Sequence, residues 1–170
     1  MINNKKKIVD LSMTIEQGMQ TFNSYWHPKV EIIQLARHDI ENRETRKIVL
    51  GTHTGTHIDA PRHFIPNGKT IEELDLEKLN GEALVLDFSQ IEEKHEITKD
   101  ELISKIDGKK FERIVLRFDW DRHFGTKKYY TDHPFLSEDA CSWLVKNKCK
   151  VFGMDSPQPD NPLNGKGSIL

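Results

Sequence analysis

Residues 53–63 read His-Thr-Gly-Thr-His-Ile-Asp-Ala-Pro-Arg-His and hold three of the chain's eight histidines beside one carboxylate. Neutral imidazole nitrogen and carboxylate oxygen are the usual ligands of zinc and of similar divalent ions. His53, His57, Asp59 and His63 all fall at odd positions, so an extended chain would turn them to one face. A straight strand would still set His53 and His57 about 13 Å apart, at roughly 3.3 Å per residue. That is near the limit for two imidazoles sharing one ion, so the chain must bend, and Gly55 is the residue that permits it. A helix would also make positions 53 and 57 neighbours. Gly51, Gly55, the interleaved threonines and Pro61 are poor helix material, however. The spacing predicts a kinked strand end or loop that gathers ligands. A polar loop whose histidines bond only the main chain is the alternative. Two histidines and an aspartate at i, i+4 and i+6, with a third histidine at i+10, favour the metal.

The same run matches His-x-Gly-Thr-His-x-Asp-x-Pro-x-His at every fixed position. It thereby resembles the signature of the metal-dependent cyclase family, which includes bacterial kynurenine formamidases and isatin hydrolases. The resemblance implies that His53, His57 and Asp59 are metal ligands and that His63 is the catalytic acid/base. A divalent ion with open positions would acidify a water toward a pKa of ~7 and polarise a carbonyl. An imidazole, with an ordinary pKa near ~6.5, suits the transfer of a proton from water to a leaving amine. No Gly-x-Ser-x-Gly elbow is present, which removes the commonest metal-free hydrolase option. The expected activity is therefore hydrolysis of a carbon–nitrogen amide, in an aryl formamide such as N-formylkynurenine or in a small cyclic amide. Zinc is the expected ion and manganese the second choice. A dehydratase or lactonase would use the same ligands, because the motif fixes the metal more firmly than the bond cleaved.

Several elements must carry this motif. Residues 7–12 read as a short first strand. Residues 18–28 form an aromatic-rich loop in which Phe22 and Trp26 are candidate substrate contacts, since flat side chains can cover a pocket and stack on a ring. Packing of Phe22, Tyr25 and Trp26 into the core or an oligomer interface is the alternative. Kynurenine formamidases tend to carry Trp-Pro-Gly-Asp here; this chain has Phe22-Asn23-Ser24 and lacks the Pro-Gly turn. Val30 to Leu35 and Thr45 to Leu50 predict an antiparallel pair, the second strand running into the motif. Pro66-Asn67-Gly68 is a turn, and Thr70 to Leu79 a weak helical or 3₁₀ stretch. From Ala83 onward the pattern is strand, helix, strand, helix, strand. Thr98-Lys-Asp-Glu101 is a capping box, Gly108 a helix stop, and Ser137 the cap of a helix with Cys141, Trp143, Leu144 and Val145 on its apolar side. Such alternation implies parallel strands with crossover helices, an α/β layered sheet. The resemblance points to the swivelling β/β/α fold.

Asp119, Asp121 and His123 follow a predicted strand and could line a pocket, though a solvated loop is the plainer reading. His133-Pro134 reads as a helix entry turn, and His27, His38 and His95 receive no role. Asp155 could orient a ligand histidine through its second ring nitrogen, or cap the next turn. Its setting, Gly-Met-Asp-Ser-Pro, is similar in character to the Gly-Ile-Asp-Thr-Pro common in the family.

Length bounds the rest. A chain of 170 residues predicts one domain, 1–170, burying about 68–70% of its unfolded surface. Charge is nearly balanced at −2, with no basic face for nucleic acid, and no apolar run approaches the roughly 20 residues of a membrane span. The N-terminus lacks the apolar core of a signal peptide, and two cysteines are too few for a zinc site of their own, so a cytoplasmic protein is expected. Relatives form dimers or tetramers, which implies a homo-oligomer. In the family a His and a Glu beyond the last loop complete a two-metal site, and further strands close the sheet. The chain is thus expected to be short at its C-terminus. Isatin hydrolase-like relatives working with one metal would reconcile three ligands with activity; a non-catalytic binding or structural module is the other expectation.

Overall fold

The computed structural model describes residues 8–162 and divides the chain into two compact units, residues 1–59 and 60–170. The first is built on an antiparallel hairpin of β1 (Glu31–Ala36) and β2 (Thr45–Val49), joined by the single turn α1 (His38–Glu41). Ile32 pairs with Ile48 and Ile33 with Lys47, and a bulge at Gln34–Ala36 shifts the register near the bend. The hairpin is the predicted pair. Met19 and Val30 are its buried apolar side chains, and Gly18 N–H donates to the Val30 carbonyl (3.0 Å).

The predicted strand at 7–12 does not form: residues 8–12 are irregular, and Lys7 lies outside the described residues. Its short polar side chains bond the local main chain instead. Asp10 accepts from the Ser12 N–H (2.9 Å), the turn-making habit of aspartate that competes with a ladder.

The second unit opens on a 3₁₀ turn at Pro61–His63, then another at Ile71–Glu73 and the short α2 (Leu76–Leu79). Its sheet is parallel, in the order β3 (Leu84–Asp87), β5 (Arg113–Arg117), β7 (Val151–Met154), with β5 central. β4 (Glu96–Ile97) and β6 (Phe135–Leu136) form a separate parallel pair. α3 (Lys99–Ile106) crosses from β4 to β5, the single turn α4 (Lys128–Thr131) precedes β6, and α5 (Glu138–Lys146) crosses to β7. Leu86, Ile114 and Leu116 share one face of the sheet and meet Leu102, Ile106, Ala140, Cys141 and Leu144 of α3 and α5 in a single core. The α/β alternation is as expected.

Both capping predictions hold. Thr98 accepts from Glu101 N–H while Glu101 accepts from Thr98 N–H (2.8 Å), and its other oxygen meets His95 Nε2 (2.7 Å). Helix α3 ends in two left-handed residues, Asp107 and Gly108. Ser137 caps α5, but Val145 is exposed, because the inward stripe of α5 runs through Ala140, Cys141 and Leu144. No helix among the described residues is long and apolar enough to cross a membrane.

His133 and Pro134 lead into β6 and not into α5, whose entry belongs to Ser137. His133 is fully buried, its Nδ1 bonds the Pro134 carbonyl (3.0 Å), and burial holds its pKa below the ordinary value.

Two predictions follow from this packing. In urea denaturation Leu102→Ala should cost about 2–5 kcal/mol, as a buried leucine does, and Thr98→Ala about 1 kcal/mol for the lost cap. The depressed pKa of His133 gives a defined pH slope. Below ~6.5 the unfolded chain takes up a proton that the folded ring resists, so stability falls as pH drops through that value. His133→Gln should flatten that part of the slope.

Candidate metal centre

Strand β2 delivers the chain to a loop that folds back on itself within a few residues. The buried Thr54 donates its hydroxyl to the Gly51 carbonyl (2.8 Å), closing the first turn. Gly55 follows at φ +62°, the left-handed region that glycine enters at least cost. A Cβ there would come no nearer than 3.5 Å to Ile15 Cγ1, ordinary contact distance, so the backbone angle, not space, calls for glycine. Thr56 then accepts from Met13 N–H (2.9 Å). The predicted kink at Gly55 is observed.

This reversal brings His53, His57 and Asp59 together. His53 Nδ1 lies 2.6 Å from Asp59 Oδ1 and 3.3 Å from His57 Nε2, and His57 Nε2 is 3.3 Å from Asp59 Oδ1. The two rings stand edge to face, 80° apart. His57 Nδ1 faces the Gly55 carbonyl (2.9 Å); a carbonyl only accepts, so Nδ1 carries a hydrogen and Nε2 is the nitrogen turned to the cluster, donating to Asp59 when the ring is protonated and offering a lone pair once that proton leaves. Four ligands about 2.0–2.1 Å from a tetrahedral ion lie about 3.3 Å from one another. Two edges of the triangle already have that length, and the third is a histidine–carboxylate hydrogen bond. The donor set fits a divalent ion.

Asp59 is the electrostatic centre of the group. Its hydrogen bond with His57 raises the pKa of that ring above the ordinary histidine value, against the opposing effect of burial. The same bond holds Asp59 below the usual carboxylate range, with further help from His53.

His63 stands in the second unit, closing the 3₁₀ turn at Pro61–His63, with its N–H on the Ala60 carbonyl (2.9 Å) and its ring against Phe64 (4.1 Å between centroids). Phe22, Tyr25 and Trp26 sit around a tight turn and are 41, 99 and 68% exposed, so the core alternative is not realised. Trp26 makes an edge contact with Tyr25 and a tilted one with Phe22.

Asp155 is engaged by the main chain of its own unit. Its carboxylate accepts from the main-chain N–H groups of Phe118 (2.9 Å) and Asp119 (2.8 Å), fixing the chain where it leaves β5. Burial pushes its pKa up, and those bonds oppose the shift. Asp119 is held by a two-pronged pair with Arg117, Trp120 is buried, and His123 lies against Trp120, so this loop is a structural closure beside β5.

Sequence reasoning missed His27. Its Nε2 lies 3.0 Å from the carbonyl oxygen of His53, and its ring fills the space beside Gly51. The one available signal was Gly51, a glycine two residues before His53.

The Cyclase family profile matches residues 9–161. A kynurenine formamidase of Bacillus cereus is 36% identical over 121 residues, 71% of this chain and 54% of the relative. A kynurenine formamidase of Bacillus anthracis is 29% identical over 160 residues, 94% of this chain and 73% of the relative. Among solved structures, an isatin hydrolase bound to the product analogue thioisatinate matches at TM-score 0.71 and 26% identity, over 82% of this chain and 61% of the other. Isatin hydrolase A from Labrenzia aggregata, bound to benzyl benzoate, reaches TM-score 0.78 at 21% identity, a likeness of fold over 94% of this chain and 72% of the other. The chain spans about half the length of the Bacillus cereus enzyme it matches.

The hydrogen bond between Asp59 and His57 can be read directly in the metal-free protein. Ring-proton NMR should place the His57 midpoint above ~6.5, and Asp59→Asn should bring it down; an unmoved midpoint would show that the pair is not formed.

Proposed function

The chain belongs to the cyclase family, and from that premise we propose that it is a metal-dependent hydrolase of a carbon–nitrogen amide bond. The observation that carries the reading is the triangle of His53 Nδ1, His57 Nε2 and Asp59 Oδ1, presented by one loop at ligand spacing. These three residues would hold the ion. Zinc suits two imidazoles and a carboxylate, and manganese accepts the same donors. A divalent ion bound there supplies Lewis-acid activation of a water and of the amide carbonyl.

The chain's own residues do the rest. The bond from His57 Nδ1–H to Gly55 fixes the ring's tautomer and aim. Asp59 contributes the negative charge that two neutral imidazoles lack. His63, four residues beyond Asp59, takes the proton from water and returns it to the leaving nitrogen. Phe22 and Trp26 present exposed rings suited to an aromatic amide. The relatives named kynurenine formamidase and isatin hydrolase support an aryl formamide or a small cyclic amide as the substrate class. The exposed aromatic turn supports a homo-oligomer, and the free thiols Cys141 and Cys149 suit a cytoplasmic setting.

Elemental analysis of purified protein should find about one ion per chain, lost in His57→Ala and Asp59→Ala, with three protein ligands and an open position as in other catalytic sites. His63→Ala should keep the metal and lose roughly 10²–10⁴ in turnover of N-formylkynurenine or isatin, the usual worth of a general acid/base. Metal-dependent hydrolysis surviving in Asp59→Ala would sink the assignment. Folded wild type that takes up neither zinc nor manganese would instead make the chain a non-catalytic family member.

A further inference from the structure

We propose that His27 is a positioning residue for the ligand loop, holding the main chain of His53 through its carbonyl and tying the aromatic turn to the ligand cluster. The proposal rests on the reading that His53 binds a metal, and it concerns a residue outside the 53–63 motif.

The geometry has two independent parts. First, His27 Nε2 lies 3.0 Å from the His53 carbonyl oxygen and Nδ1 lies 3.1 Å from that of Pro28; both carbonyls only accept, and the shorter, longer-range contact is the one that takes the N–H of the neutral ring, while the protonated ring donates to both. The bond is partly buried and joins residues 26 apart in sequence. Second, the ring is seated against Gly51: a Cβ on that residue would lie 2.7 Å from both Cε1 and Nε2 of His27. Gly51 has no left-handed φ, so glycine is needed there for the ring and not for the backbone. The loop is therefore gripped twice ahead of Gly55, by Thr54 on the Gly51 carbonyl and by His27 on the His53 carbonyl.

At its other end His27 belongs to the aromatic turn. Its own N–H donates to the Ser24 carbonyl (3.1 Å), closing the turn that carries Tyr25 and Trp26. His27 thus links the rings proposed to meet substrate with the main chain of a proposed ligand. An imidazole reaches an ion only if its Cα is held in place, because χ1 and χ2 are its only adjustments. Fixing the His53 peptide removes the freedom that would otherwise be lost on binding metal. Residues supporting ligands in this way typically matter by about 10–100-fold in metal affinity.

The test is zinc affinity of the full chain, measured by competition with a chromophoric chelator, with thermal melting of each metal-free variant alongside. His27→Ala should weaken zinc binding about tenfold or more, while His27→Gln, whose amide can still donate to the His53 carbonyl, should recover most of it. Gly51→Ala should displace the ring and reproduce the loss. Because both changes break one contact, the double variant should bind no more weakly than His27→Ala alone. A general structural role would lower the melting temperature without rescue by glutamine. Zinc affinity in His27→Ala within twofold of wild type, or fully additive losses in the double variant, would overturn the proposal. Should His27→Ala not fold, Gly51→Ala against His27→Gln carries the comparison, and equal affinities there overturn it. A wild type that binds no zinc at all is a separate result, which removes the metal reading itself.

Discussion

Three ligand atoms from residues 53, 57 and 59 can converge only if the chain turns back between the first and the second. Three features of the first unit serve that reversal. The hairpin supplies a stiff approach, the Thr54 hydroxyl closes the turn onto Gly51, and the left-handed Gly55 sends the next residues back toward His53. Gly55 then acts a second time, because its carbonyl is the acceptor that orients His57. One residue sets both the path of the chain and the tautomer of His57.

The cluster also shows how a loop rich in ligands stays ordered before an ion arrives. Three like groups would repel or leave lone pairs facing one another. A carboxylate between two imidazoles instead accepts from them and holds the triangle nearly at ligand spacing. The cost is competition: the raised His57 pKa means that a proton must leave before its Nε2 can bind a metal. Metal affinity in such a site is tied to pH by the same hydrogen bond that preorganises it.

Much of this was legible in the sequence, and the reasons are local. The kink at Gly55, the capping box at Thr98, the cap at Ser137, and the strand–helix alternation after Ala83 each depend on residues close together in the chain. The failures are the converse. Residues 8–12 have strand-like composition but lack a ladder partner, and Asp10 turns the chain on itself. The β4–β6 pair is two residues long, too short to show a period. Asp155 accepts from main-chain groups 37 and 36 residues away with its two oxygens, a pairing that local sequence does not announce. His27 bonds a residue 26 positions away, and no spacing rule reaches that far.

The choice between a catalyst and a non-catalytic family member turns on what a bound ion would have left to offer. Two imidazoles and one carboxylate give a divalent ion a net charge of +1, enough to keep acidifying a water, where a second carboxylate would cancel it. Three protein ligands also leave the fourth tetrahedral position open, which separates catalytic zinc sites from closed structural ones. The cluster is partly exposed, with about 30% of each histidine side chain and 44% of Asp59 accessible. A structural site would be expected to have four protein ligands and a buried setting. Among the described residues the loop gathers three donors in a partly exposed setting, which suits the ion proposed above, one that admits water and a substrate oxygen.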